Sequence, residues 1–90
     1  MKTLTDLLNL ITREIELTQN KMVTYEFDIN TRYNWLSMER VMPEVGEDGK
    51  FTGDDKRETI LSSIKFDTPE RIQLAYWTIY NEGRVQDENK

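Results

Sequence analysis

Chemistry in this chain has to rest on carboxylates and hydroxyls. His and Cys, which supply most general bases, thiol nucleophiles and transition-metal ligands, are both absent. Cys/His zinc sites, His- or Cys-ligated haem, and Cys–His or Ser–His–Asp catalysis are thereby excluded. Pairs such as Glu26/Asp28 or Asp54/Asp55 have the residue types of an acid–base couple, but a chain with seventeen acids contains such pairs by chance. Gly46, Gly49 and Gly53 lack the lysine-serine ending of a phosphate loop and the spacing of a dinucleotide loop. Carboxylates around Gly49 invite a calcium reading. An EF-hand, however, needs oxygen ligands at positions one, three and five with glycine at six, and Glu47-Asp48-Gly49-Lys50 lacks that order. The expectation is no catalytic residue, no cofactor and no metal, with a solvated acidic loop over Pro43 to Lys56.

What the acids can do is recognise something. Twelve Lys and Arg against seventeen Asp and Glu leave a net charge of −5. That balance argues against direct nucleic-acid binding, which needs a clustered basic surface. A small acidic protein-binding module fits better, with its carboxylates set against a basic partner, in the most specific version an inhibitor occupying a groove built for nucleic acid. The residues expected to bind are Glu26, Asp28, Tyr33, Trp35, Glu47, Asp48, Asp54 and Asp55, the aromatics as anchors and the acids as partners for Arg at the rim. Electrostatic steering of that kind fades with salt. The alternative is a self-associating structural or assembly accessory protein, a homo-oligomer joined through helix faces or an open sheet edge. Short, acidic, rich in Asn, Lys and Glu and free of catalytic groups, the chain resembles in kind the small accessory proteins that bacteriophages make. That resemblance implies a protein that binds and blocks or redirects a host protein, and it transfers no residue.

These residues need a scaffold, and ninety of them make one domain at most, expected over 1–83 with a frayed tail at 84–90. Leu, Ile, Val and Phe number 22 of 90, above the ~20% below which a highly charged chain is expected to stay disordered. Thr5, Asp6, Asn9 and Thr12 interrupt the N-terminal apolar run, so it does not read as a signal peptide. No apolar stretch approaches the ~18–20 residues of a membrane span, and a cytoplasmic protein is expected.

Leu4, Leu7, Leu8, Ile11 and Ile15 have the spacing of one helix face, capped by Thr3 with Asp6 in the first turn and closed near Asn20. From Met22 the period becomes two: Val23, Tyr25, Phe27 and Ile29 point one way, and Thr24, Glu26 and Asp28 the other. A second strand is expected from about Tyr33 to Val41, although Trp35, Met38 and Met42 also suit a helix. A third strand is expected over Thr59 to Phe66, with Ile60, Ser62, Ile64 and Phe66 on one face. Asp67, Thr68, Pro69 and Glu70 start a second helix, expected to stop near Gly83.

The sum is an α+β fold: N-terminal helix, small antiparallel meander of about three strands and C-terminal helix in two layers. The expected core is Leu4, Leu7, Leu8, Ile11, Ile15, Val23, Tyr25, Phe27, Ile29, Ile60, Ile64, Phe66, Ile72, Ala75 and Ile79. One face depends on a turn. If Asn30 and Thr31 form a two-residue reversal, paired positions sum to 61, which sends Leu36 and Met38 inward and leaves Tyr33 and Trp35 outside, opposite Asp28 and Glu26. A turn one residue longer flips every side chain and buries Trp35 instead.

Overall fold

The first helix, α1 (Leu4–Thr18), begins where its capping residues put it. The Thr3 hydroxyl accepts from the Asp6 amide at 3.2 Å while the Asp6 carboxylate accepts from the Thr3 amide at 2.8 Å, so two donors with no intrahelical partner are satisfied reciprocally. Beyond it Gln19 (φ −57°, ψ 128°) and Asn20 (φ 61°) turn the chain in a type II turn, the Lys21 amide donating to Thr18 O at 3.0 Å. The computed structural model describes residues 1–88, with side chains as far as Arg84. The strands β1 (Thr24–Asn30), β2 (Trp35–Val45) and β3 (Phe51–Lys65) follow, and then α2 (Pro69–Glu88). The strands form an antiparallel meander in the order β1-β2-β3. Helix α1 packs on β1, α2 packs on β3, and the two helices touch. This is the expected two-layer α+β arrangement, with Trp35 to Val41 in a strand and not a helix.

The core between the layers is Leu7, Leu10, Ile11, Tyr25, Leu36, Met38, Leu61, Phe66, Ala75 and Ile79. Phe27, Ile60, Ile64 and Ile72 pack against this core half-buried, and five residues expected there lie outside it: Val23 is half-buried away from the cluster, and Leu4, Leu8, Ile15 and Ile29 are 39%, 42%, 42% and 38% exposed. The buried stripe of α1 is centred on Leu7, Leu10, Ile11 and Glu14, because the helix lies between β1 and α2 and is covered only on the sides those elements reach. The Leu4/Leu8/Ile15 flank overhangs.

The β1–β2 connection is four residues long, and the strands pair as Asn30↔Trp35, Ile29↔Leu36, Phe27↔Met38 and Tyr25↔Arg40. The two-residue turn is therefore corrected. Asn34 takes φ 56° and the Asn30 Oδ1 accepts from the Tyr33 amide at 3.0 Å, so two asparagines close a wider loop without glycine. Paired positions now sum to 65, an even step from 61, so the faces are those the shorter turn gave. Leu36 and Met38 are fully buried, and Trp35 lies on the face without helices.

Two further expectations are corrected. Pro43 to Lys56 is not a loop but the outer end of a β2–β3 ribbon, with only 46–50 in the turn. Gly49 at φ 79° and the Gly46 amide bonding to Lys50 O at 2.8 Å make a tight reversal, while Gly53 at φ 93° sits at a shift of register. The acids do not oppose pairing because the ribbon runs beyond β1, whose last partner is Val41, and its side chains reach solvent. The overall extents of 47 × 26 × 18 Å reflect this projection. Helix α2 also runs through Gly83 to Glu88. Gly83 is buried against the Glu14 carboxylate, which would lie 2.6 Å from a Cβ there, so this glycine serves a helix–helix approach and not a helix end. The expected tail at 84–90 is helical in its backbone to Glu88, and its side chains from Val85 onward lie outside the described residues.

The regular alternation expected across Thr59 to Phe66 is broken as well. A bulge between the Leu36 and Met38 partners, with Ser63 at φ 50°, turns Leu61 into the core three residues before Ile64. The Ser37 hydroxyl accepts the Ser63 amide at 2.8 Å, which satisfies a donor that the bulge takes out of the ladder.

Candidate protein-binding surface

Pairing register decides which side chains share the face that carries no helix. Thr24, Glu26, Asp28 and Asn30 on β1 lie beside Val41, Glu39, Ser37 and Trp35 on β2, and these in turn beside Arg57, Thr59 and Lys65 on β3. Pro43 and Asp55 continue the same face along the ribbon. Four carboxylates, Glu26, Asp28, Glu39 and Asp55, thus share it with two cations, Arg57 and Lys65.

Glu26 and Glu39 are directly opposite, a like-charge pair that a sheet disfavours. Arg57 resolves it. Its Nη1 bonds the Glu26 Oε2 and reaches the Glu39 Oε2 at 3.2 Å, with Nη2 at 3.4 Å from the Glu26 Oε1, so one guanidinium ties all three strands. The hydrogen bond from Arg57 holds the Glu26 carboxyl below its ordinary range, and the two glutamates push the Arg57 guanidinium further up. Asp28 faces Ser37 and Trp35 is flanked by Asn30 and Lys65. Trp35 is half-buried.

The eight residues expected from sequence are accordingly not one patch. Glu26, Asp28, Trp35 and Asp55 share the open face, although the pairing opposite Trp35 is Asn30 and not Glu26. Tyr33 is 59% exposed in the β1–β2 turn, where the Arg32 guanidinium stands 5.6 Å from its ring centre, and it pairs with neither Asp28 nor Glu26. Glu47 and Asp48 are at the ribbon tip, where the Asp48 Oδ1 accepts the Lys50 amide at 3.0 Å. Asp54 follows the register shift on the ribbon's other side. Among the described residues no three carboxylates converge as a metal site would require.

Two groups escaped sequence reading. Glu39 joins the acidic face only through its pairing with Glu26, a partnership visible once the register is known. Arg40 lies on the helix side of the sheet opposite Tyr25, its Nη1 2.5 Å from the Glu82 Oε1 and its Nη2 bonded to Glu58. The Tyr25 hydroxyl donates to the same Glu82 oxygen at 3.2 Å. Burial first, and then the charge of Glu82, push this phenol well above its usual range. Tyr25, Arg40, Glu58 and Glu82 therefore pin α2 to the sheet, and the Arg40 Nε is buried without a partner among the described residues. On α2 itself Tyr76 stacks with Tyr80 and Trp77 meets both edge to face, with Lys2 4.8 Å from the Tyr76 ring centre and 5.8 Å from that of Trp77.

Among the described residues no helix is long and apolar enough to cross a membrane. Comparison with models of protein families, with curated proteins and with solved structures finds no match to this chain.

Proposed function

We propose that this chain is a protein-binding module whose helix-free sheet face docks a basic protein. One observation carries the reading: an uncovered β-sheet face that presents four carboxylates against two cations, with an aromatic side chain at one end of it. Here Arg57 is already engaged by Glu26 and Glu39, so Asp28 and Asp55 are the acids left to meet a partner's cations. Trp35 offers the apolar contact that charge alone does not give. The specific form of the proposal is an inhibitor or modulator, of the kind bacteriophages make, that occupies the basic surface of a nucleic-acid-binding host protein in the cytoplasm.

The test is retrieval of the partner by affinity purification and mass spectrometry, followed by titration with the purified pair. Asp28→Lys and Asp55→Lys are each expected to weaken binding on the order of tenfold at low salt, by replacing an attraction with a repulsion, with melting temperature unchanged. Trp35→Ala is expected to weaken it at all salt concentrations. Wild-type affinity in all three variants would sink the proposal.

A further inference from the structure

We infer that the free edge of β1 receives an extended basic segment of the partner as a fourth strand. The inference rests on the protein-binding reading above and specifies the mode. The two edges of the sheet are built differently. β3 carries shifts of register near Ser63 and Gly53, a left-handed Ser63, and the cations Lys56, Arg57 and Lys65. Bulges and cations are the devices by which sheets protect an edge from pairing. β1 has none of them: its seven residues contain no Pro, no Lys and no register shift, and no described strand pairs with its outer side.

The side chains along this edge are sorted for a further strand. Tyr25, Phe27 and Ile29 face the helices, and Glu26 and Asp28 face the open side. Above the edge, α1 adds an apolar shoulder. The flank of α1 turned towards α2 carries Glu14, which lies against Gly83. Leu4, Leu8 and Ile15 fall on the other flank, within about 40° of one another at 100° per residue, and so overhang the side of β1 that β2 does not occupy. Each is about two-fifths exposed, as is Ile29 on the edge strand itself. A strand laid beside β1 would cover this shoulder with alternate side chains and set the others against Asp28 and the Arg57-bound Glu26.

Charge selects the occupant. A second copy pairing through its own β1 would keep the apolar sides together in the symmetric registers centred on residue 26, 27 or 28. Two of those set Asp28, which has no cation opposite it, against Glu26 or against itself, and the third brings together two Glu26 carboxylates whose Arg57 is already shared with Glu39, arrangements that disfavour pairing. A segment with Lys or Arg at alternate positions and Val, Ile or Leu between them satisfies both sides at once, the main chain supplying affinity and the alternate side chains specificity.

The probe is a capped octapeptide alternating lysine and valine, titrated calorimetrically into the full chain with amide exchange read in parallel. Two further versions are N-methylated at alternate amides, one along each edge of the extended peptide, and a fourth replaces every lysine by glutamate. Expected is salt-sensitive binding of the first peptide, its loss on methylating one edge and its retention on methylating the other, because an added strand presents one row of amides. The β1 amides should gain protection while those of β3 do not. The glutamate peptide should not bind, and Asp28→Lys should weaken the lysine peptide about tenfold without altering the melting temperature. Equal binding of both methylated peptides would assign recognition to the open face and overturn strand addition while leaving the module intact. No binding of the lysine peptide would overturn it too, while the Trp35→Ala titration with the captured partner tests the module separately. A concentration-dependent homodimer with β1 protected in the absence of peptide would give the edge to a second copy, and would likewise overturn the inference.

Discussion

Gly83→Ala sets two rules of helix stability against each other, and the outcome tests the α1–α2 contact directly. By propensity alone, replacing a glycine inside a helix by alanine stabilises by about 1 kcal/mol. At this position an added Cβ would stand 2.6 Å from the Glu14 Oε1 and 2.7 Å from its Cδ, distances that real Cβ atoms do not show. Glu14 cannot swing away freely, because it is only 7% exposed. Moving it means opening the helix pair or displacing a buried carboxylate from its surroundings. Overpacking of this kind costs about 1–3 kcal/mol, so the net change is a loss of up to about 2 kcal/mol instead of a gain. For a domain of this size each kcal/mol moves the melting temperature by roughly 4–8 °C.

The assay is thermal and urea denaturation followed by far-ultraviolet circular dichroism, with Asn81→Ala as the control. Asn81 is exposed two residues earlier in the same helix, and there alanine should raise stability by a few tenths of a kcal/mol. A double variant, Glu14→Ala with Gly83→Ala, removes the obstructing carboxylate and should recover most of what Gly83→Ala loses relative to Glu14→Ala alone. If Gly83→Ala raised the melting temperature as Asn81→Ala does, the close approach of the helices would be refuted, and Gly83 would revert to an ordinary helix-weakening glycine.

Other expectations follow from the same contacts. Met38→Ala and Ile79→Ala, both at fully buried positions, should each destabilise by about 2–5 kcal/mol in urea titrations, whereas Leu8→Ala should change stability far less. Thr3→Ala removes the capping box and should lower stability by about 0.5–2 kcal/mol. The Tyr25 phenol has its folded pKa raised above the unfolded value near 10, so its contribution is fully present below pH 10 and is lost as pH rises beyond it. Melting temperature should accordingly fall more steeply between about pH 10 and 12 in the wild type than in Tyr25→Phe. The Glu26 and Glu58 carboxyls are depressed by Arg57 and Arg40, so their contribution is present above the ordinary carboxyl range near 4.5 and disappears as pH falls through their folded values. Arg57→Met should flatten that acid limb.

Elements bounded by local chemistry were legible in the sequence. Thr3 with Asp6, and Thr68 with Pro69, start helices for reasons contained within a few residues, and the period-two run from Val23 to Ile29 declares a strand whatever surrounds it. What sequence reading missed was settled across space. Gly83 reads as a helix end when only its own helix is considered, and only the Glu14 side chain of a distant helix shows why a glycine stands there. Leu61 escaped the core because the bulge at Ser63 resets the alternation, and the hydrogen bond that makes this bulge tolerable comes from Ser37 on the neighbouring strand. The acid-rich ribbon read as loop because glycines and charges were taken together. Charge opposes strand pairing only where side chains must be buried, and beyond Val41 no third strand or helix buries them.

The candidate surface shows the same division between parity and register. The four-residue β1–β2 turn gives the same faces as a two-residue turn and the opposite of a three-residue one, since partners that move by an even step keep their side. Glu26 and Asp28 lie on the side of the sheet that their alternation predicts but beside other neighbours, and Trp35, whose side depends on the turn, joins them there. Neighbours, however, are what determine chemistry: Glu26 is neutralised by Arg57, a residue thirty-one positions away that sequence spacing does not connect to it, while Asp28, two residues along the same strand, faces only Ser37. Two acids that look equivalent in the sequence thus differ in what they have left to offer a partner. Asp28 is the one whose reversal should be felt in binding without being felt in folding.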